Sequence, residues 1–135
     1  MRGIGGGVAT ILVIDDDAKL RQMLRRALDD MGHESLAAAD GAEGLELFAR
    51  YAPPLVITDI LMPNKEGIET IRELRRADPG VKILAISGSG LMGGADFLSA
   101  AKKLGADDAL YKPLRPAELE AHIRELLARE RTEAG

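Results

Sequence analysis

Hydrophobic positions along this chain fall into short continuous runs separated by longer stretches of helical spacing. Ile11-Leu12-Val13-Ile14 is the first run, and it stops at three aspartates. A short β-branched run of this kind predicts a strand buried on both faces. From Ala18 the apolar residues recur at Leu20, Met23, Leu24, Ala27, Leu28 and Met31, with Gly32 as a stop. That spacing predicts a helix. A weaker strand is expected near Glu34 to Ala39. Asp40 then caps a helix to about Arg50, with Ala42, Leu45 and Phe48 inward. Leu55-Val56-Ile57-Thr58 predicts a third strand ending at Asp59. Pro63, Asn64 and Gly67 mark a loop before a helix carrying Ile68, Ile71 and Leu74. Val81 to Ile86 predicts the fourth strand, and a helix from Ala95 to Leu104 follows a glycine-rich loop. Ala109-Leu110-Tyr111 predicts a short fifth strand. Pro116 pre-sets the first turn of a last helix with Leu119, Ile123, Leu126 and Leu127 inward.

Each connection between strands is long enough to hold a helix, so the strands are expected to run parallel. Right-handed crossovers then place helices on both faces, which predicts a doubly wound α/β fold. Residues 9–128 are expected to form this domain, with a flexible glycine-rich lead over 1–8 and a polar tail over 129–135. The tail leaves no room for an output module, so output is expected to pass through a partner.

Composition narrows the picture further. With 46% hydrophobic residues, two Phe, two Tyr and no Trp, the core must be aliphatic. A net charge of −4 gives no domain-wide basic footprint, so direct nucleic-acid binding is not expected. The chain has no Cys, which excludes disulfides and thiolate metal sites. No apolar run approaches the roughly 20 residues of a membrane span, and the first residues lack a secretory signal. Membrane insertion is not expected, and a cytoplasmic location is.

In an open parallel sheet the site lies beyond the carboxyl ends of the strands. The first strand ends at Asp15, Asp16 and Asp17, the third at Asp59, the fourth at Ser87 and the fifth at Lys112. Crowded carboxylates resist ionising unless a cation sits among them, and Mg²⁺ suits a small all-oxygen site. Asp59 then reads as a nucleophile toward phosphorus, Lys112 as a counter-charge for a phosphoryl oxygen, and Ser87 as a hydroxyl donor. Backbone near Leu61 and Gly88 completes the cradle, Gly88 leaving room because it has no Cβ. Taken singly, each piece has a plainer explanation: a helix cap for the aspartates, an Asx turn for Asp59, a turn hydroxyl for Ser87, surface charge for Lys112. The set at the ends of one sheet favours the chemical reading. His33 and His122 show no metal-ligand company in sequence and read as structural or surface residues. Asp107-Asp108 reads as a turn before the fifth strand, and Arg75-Arg76 as a solvated helix face.

These pieces, in this order, resemble the receiver domain of bacterial two-component response regulators, the class that includes the small chemotaxis regulator. The resemblance runs from about Ile11 to Leu127. It is carried by Ile11 to Asp17, by Leu55 to Pro63 with Gly67 after it, by Ile86-Ser87-Gly88, and by Leu104 to Asp108 leading to Lys112-Pro113. It implies the flavodoxin-like strand order 2-1-3-4-5. By position, Asp15 and Asp16 match the metal-binding acidic pair, Asp59 the phosphorylated aspartate, and the Leu61 carbonyl a further metal ligand. Ser87 matches the hydroxyl residue and Lys112 the family's lysine. Asp17 ranks below its neighbours as a ligand. The resemblance further implies Mg²⁺, with Mn²⁺ as a substitute, a histidine kinase or histidine phosphotransfer protein as donor, and slow self-dephosphorylation. Signalling to a downstream protein, or a homodimer, would use the face of the fourth helix, fifth strand and fifth helix.

Two features depart from the family pattern. The aromatic three positions before the lysine is replaced by Ala109, which has no χ angle to switch. Tyr111, beside Lys112, is expected on the other face of the strand. The Ser87–Lys112 interval is longer than usual, and its extra length in Gly88–Gly94 predicts a mobile loop. Within the family, a terminal regulator and a phosphorelay shuttle both fit. Outside that chemistry stands a phosphorylation-independent interaction module. A haloacid-dehalogenase-like phosphatase fits poorly, because Leu61 stands where its second aspartate belongs.

Overall fold

A computed structural model describes residues 8–60, 66–88 and 94–129. Its elements are β1 (Thr10–Ile14), α1 (Ala18–Asp30), β2 (Glu34–Ala38), α2 (Gly41–Tyr51), β3 (Leu55–Asp59), α3 (Glu66–Ala77), β4 (Lys82–Ser87), α4 (Gly94–Leu104), β5 (Asp108–Tyr111) and α5 (Pro116–Ala128). The strands pair in parallel in the order β2-β1-β3-β4-β5. This is the doubly wound, flavodoxin-like arrangement. No helix among the described residues is long and apolar enough to cross a membrane.

The two-residue strand period divides the core into two layers. Leu12, Ile14, Val56, Ile83 and Ala85 face Phe48 of α2, Ile71 and Leu74 of α3, and Ala101 of α4. Ile11, Val13, Leu55, Ile57, Leu84 and Ile86 face Leu24 and Leu28 of α1 and Leu119, Ile123 and Leu126 of α5. Every residue of β3 and β4 is buried, which is why their centres read as the apolar runs Leu55-Val56-Ile57 and Ile83-Leu84-Ala85-Ile86. The central strands are thereby held by packing on both sides, and their carboxyl ends become fixed points.

Local chemistry sets the helix starts. Asp17 accepts hydrogen bonds from the Lys19 and Leu20 N–H groups at 3.0 and 3.4 Å, capping α1. Asp40 caps α2 by accepting from Glu43 N–H at 2.8 Å, and Glu43 reaches back to Ala39 N–H at 2.8 Å.

Side-chain direction departs from the sequence pattern at three places. Met23 is 42% exposed, so α1 packs through Leu24 and Leu28 instead. Ala42 is exposed, while Gly41 and Gly44 face inward with Phe48. The helix lies so close to β1 that a Cβ on Gly44 would fall 2.4 Å from Ile14 Cδ1, so the inward positions are the ones an apolar search passes over. Arg75 is no solvated residue. Its guanidinium donates to the carbonyls of Gly105, Pro79 and Val81 and pairs with Asp107 Oδ2 at 2.8 Å. Asp107 also accepts from Ile83 N–H at 2.8 Å, so the pair fastens α3 to the starts of β4 and β5.

Close approach constrains Gly67 in the first turn of α3. A Cβ there would lie 2.4 Å from Ile60 O and 2.5 Å from Asp59 O, both backbone atoms. Alanine normally gains about 1 kcal/mol over glycine in a helix. Here Gly67→Ala is expected to lose about 1–3 kcal/mol through overpacking. Urea unfolding checks the sign, and a stabilised variant would contradict this packing.

His33 is buried between α1 and β2, and its Nδ1 accepts a hydrogen bond from Ala9 N–H at 3.1 Å. Burial holds its pKa below the ordinary imidazole value. Between the lowered folded pKa and the unfolded value of about 6.5, the unfolded chain binds more protons. The contribution is therefore complete above about pH 6.5 and is lost as pH falls through the folded pKa. Unfolding midpoints from about pH 8 to 5 are expected to fall more steeply for the wild type than for His33→Gln. Parallel slopes would remove His33 from the account.

Candidate functional site

The site begins where β1 stops. Asp15 N–H donates to Ala38 O at 3.1 Å, extending the β1–β2 ladder by one bond, and the Asp15 side chain is 1% exposed. Its Oδ1 accepts from Asp17 N–H at 2.8 Å, and its carbonyl accepts from Arg21 at 2.7 Å. The acidic turn is thus clamped at both ends. Asp16 projects outward, and Asp17 is occupied as the α1 cap.

Asp59 is the last residue of β3, in register with Ile86 of β4, and is buried. Ile60 N–H donates to Ile86 O at 2.9 Å, which ties the strand end down. Ser87 follows Ile86 as the buried last residue of β4. Its carbonyl accepts from Lys112 N–H at 2.8 Å, so β4 and β5 deliver Ser87 and Lys112 side by side.

Lys112 Nζ lies 2.9 Å from Asp59 Oδ2 and 3.3 Å from Asp15 Oδ2. Asp15, Asp16 and Asp59 each offer an oxygen within 4.8 Å of the others. Four sequence-predicted residues from three strand ends are therefore together: Asp15, Asp16, Asp59 and Lys112. Gly88 adjoins them, since a Cβ there would meet Lys112 Cδ at 3.0 Å. A side chain at 88 would crowd the shaft of the lysine. Leu61 and the loop residues 89–93 lie outside the described residues.

Charge in the site is unbalanced. Two buried ionised carboxylates under 5 Å apart repel by roughly 3–4 kcal/mol at an effective dielectric near 20. Burial pushes the Asp15 carboxyl above its ordinary range. Asp59 adds to that rise, while the Asp17 N–H and Lys112 oppose it. Burial alone would lower the Lys112 pKa, but its hydrogen bond to Asp59 and the charges of Asp59 and Asp15 leave it raised. Among the described residues, the Lys112 ammonium stands against three carboxylates. Asp15 Oδ2 is buried without a hydrogen bond, although it lies within ion-pair reach of Lys112. An all-oxygen acidic cluster with an unsatisfied buried oxygen fits a hard divalent cation such as Mg²⁺.

Around the site, β5 corrects one expectation. Ala109 and Tyr111 both pack against the layer formed with α2, α3 and α4. Residues two apart on a strand share a face, so Tyr111 lies on the side of Ala109, opposite Lys112. Tyr111 is also in register with Ser87. A concavity of about 490 Å³ runs between α4, β5 and α5, lined by Leu98, Ala109, Tyr111 and Lys112 among others.

His122 is not isolated either. Its Nδ1 lies 2.5 Å from Asp108 Oδ2, and Glu125 is near both. The i, i+3 spacing of His122 and Glu125 on a predicted helix was a visible signal. Asp108, 14 residues upstream, joins them only through the fold.

The chain matches the family model described as the response regulator receiver domain over residues 11–124. It is 41% identical over 121 residues to the probable transcriptional regulator ycf27 of Porphyridium aerugineum, covering 88% of this chain and 48% of that protein. It is 38% identical over 128 residues to the response regulator MprA of Mycobacterium sp. (strain KMS), covering 93% of this chain and 53% of that one. The chain thus spans about half the length of these curated relatives. Among solved structures, the response regulator receiver domain protein from Clostridium thermocellum superposes with a TM-score of 0.78. It is 32% identical, with 88% of this chain and 94% of that chain covered. With its strand order, its clustered carboxylates and its lysine, this chain belongs to the receiver domain family of two-component response regulators.

Proposed function

We propose that this chain accepts a phosphoryl group on Asp59 from a phosphohistidine donor, a histidine kinase or a phosphotransfer protein, and signals by altered protein–protein contact. The observation that supports it most is Lys112 Nζ held between Asp59 Oδ2 and Asp15 Oδ2 at 2.9 and 3.3 Å. A lysine so placed can move to an incoming phosphoryl oxygen without leaving the acidic cluster.

A carboxylate oxygen of Asp59 attacks phosphorus. A phosphorus–oxygen bond forms as the bond to the donor imidazole nitrogen breaks, and the electron pair leaves with that nitrogen. Lys112 balances charge on one phosphoryl oxygen, and the Ser87 hydroxyl donates to another. Asp15, Asp16, Asp59 and the Leu61 carbonyl would hold Mg²⁺, which supplies neutralisation of the phosphoryl charge. Gly88 keeps space beside Lys112. Lys112 also lines the concavity between α4, β5 and α5, so its displacement on phosphorylation reaches a surface that a partner can read.

Intact mass after Mg²⁺ and acetyl phosphate is expected to show one added phosphoryl group, absent in Asp59→Asn and without metal. Label that persists in Asp59→Asn would move the acceptor elsewhere.

Asp15 carries a stability consequence. Its folded pKa lies above the unfolded value of about 3.9, so the folded protein binds more protons between the two. Stability from this group falls as pH rises through that window, and at neutral pH the ionised carboxylate is a cost. In metal-free buffer near neutral pH, Asp15→Asn is expected to unfold at a higher urea concentration than the wild type. Mg²⁺ at about a hundred times its Kd stabilises a binding protein by about 2.7 kcal/mol. The wild type is expected to show that gain and Asp15→Asn to lose it. A destabilised, metal-responsive variant would refute both parts.

A further inference from the structure

A second group of metal-ligating side chains converges at the opposite end of β5. Asp108 opens that strand, and His122 and Glu125 stand three residues apart on α5. Each offers a ligand atom, and these atoms all lie within 4.8 Å of one another. Asp108 Oδ1 accepts from its neighbour's N–H, that of Ala109, at 2.9 Å, which fixes the carboxylate and directs Oδ2 at His122 Nδ1. The Asp108 side chain is 13% exposed and that of His122 28%. Glu125 stands exposed at the outer lip, in a loose pair with Arg129 at 3.6 Å. Entry from solvent is therefore open, while the inner donors are positioned by strand and helix.

We propose that Asp108, His122 and Glu125 form a second metal site, selective for Zn²⁺ or a similar borderline divalent transition ion. One imidazole nitrogen and two carboxylates suit such an ion, whereas Mg²⁺ takes oxygen donors. Two carboxylates and a neutral imidazole carry a charge of −2, which the ion cancels. Three protein donors leave the fourth tetrahedral position to water. Adjacent ligand atoms on tetrahedral zinc stand about 3.3 Å apart, so the 2.5 Å His122–Asp108 pair must open by less than an ångström. Rotation of the partly exposed imidazole supplies that movement, and Glu125 exchanges its loose partner for the ion. The bound ion would tie α5 to β5. Asp108 and His122 also line the concavity that reaches Lys112, so the ion would brace one of its walls.

The test uses the full chain, with the acidic cluster saturated by Mg²⁺ and zinc delivered from a chromophoric chelator. One equivalent of Zn²⁺ is expected to bind, and to bind unchanged in Asp15→Asn, which separates this site from the first. His122→Gln and Glu125→Gln each remove one of three direct ligands and are each expected to lower affinity at least about tenfold, since loss of even an outer-shell partner costs about 10–100-fold. Zinc is also expected to shift the His122 ring nitrogen resonances and to raise the unfolding temperature of the wild type, but not of His122→Gln. Glu125 is exposed, so Glu125→Gln leaves the fold intact should His122→Gln loosen α5. Absence of zinc uptake would overturn the proposal, as would equal uptake by the wild type, His122→Gln and Glu125→Gln or an unshifted His122 ring. In each of those cases the pair is only a hydrogen bond pinning α5.

Discussion

Repulsion among the carboxylates of Asp15, Asp16 and Asp59 is the constraint around which this domain is built. Two of them are buried, and among the described residues the Lys112 ammonium pairs with both. The unfavourable energy is a few kcal/mol, against a total stability of about 5–15 kcal/mol for an ordinary domain. Such a cost is tolerable only where the backbone cannot relax it away. β1 and β3 meet that condition because each is paired on both edges and covered on both faces. The aliphatic core therefore does more than stabilise the fold, since it keeps like charges within 5 Å of one another.

The same logic explains which parts of the molecule were legible in the sequence. Strands buried on both faces leave unbroken apolar runs, so Ile11–Ile14 and Leu55–Thr58 identify themselves, and the polar residue that ends each run marks a site position. Asp15, Asp59, Ser87 and Lys112 all stand at such ends. Features without an apolar signature were hidden. Gly41 and Gly44 are buried without an apolar side chain, and at Gly44 a Cβ would press on the Ile14 side chain of β1. Arg75 looks like half of a charged pair on a helix surface, yet its partners are carbonyls and Asp107 from segments far along the chain. A hydrogen-bonding hub of this sort has no sequence period. The association of His122 with Asp108 depends in the same way on α5 returning across β5.

Ala109 and Tyr111 show how a two-residue period corrects a motif-based expectation. An aromatic at 109 would fill the layer between β5 and α4. With alanine there, Tyr111 is the aromatic that β5 presents to that layer, two residues further toward the site and in register with Ser87. The aromatic is displaced along the strand, not moved to its other face. The alanine also leaves its own position open to the concavity beside Leu98 and Tyr111.

Lys112 joins these two halves of the molecule. Its backbone N–H is fixed to Ser87 O, its side chain reaches Asp59 and Asp15, and its shaft passes Gly88. It also forms part of the wall of the concavity between α4, β5 and α5. A change in charge at Asp59 would alter the balance of forces on Nζ directly, because among the described residues that ammonium lies 2.9 Å from Asp59 Oδ2. The backbone at 112 is pinned to β4, so the response must be carried by the flexible side chain and by whatever packs along it. Under the proposed function, a sheet end with one long cationic side chain would convert a local electrostatic change into a change at a neighbouring surface, without requiring the core to repack.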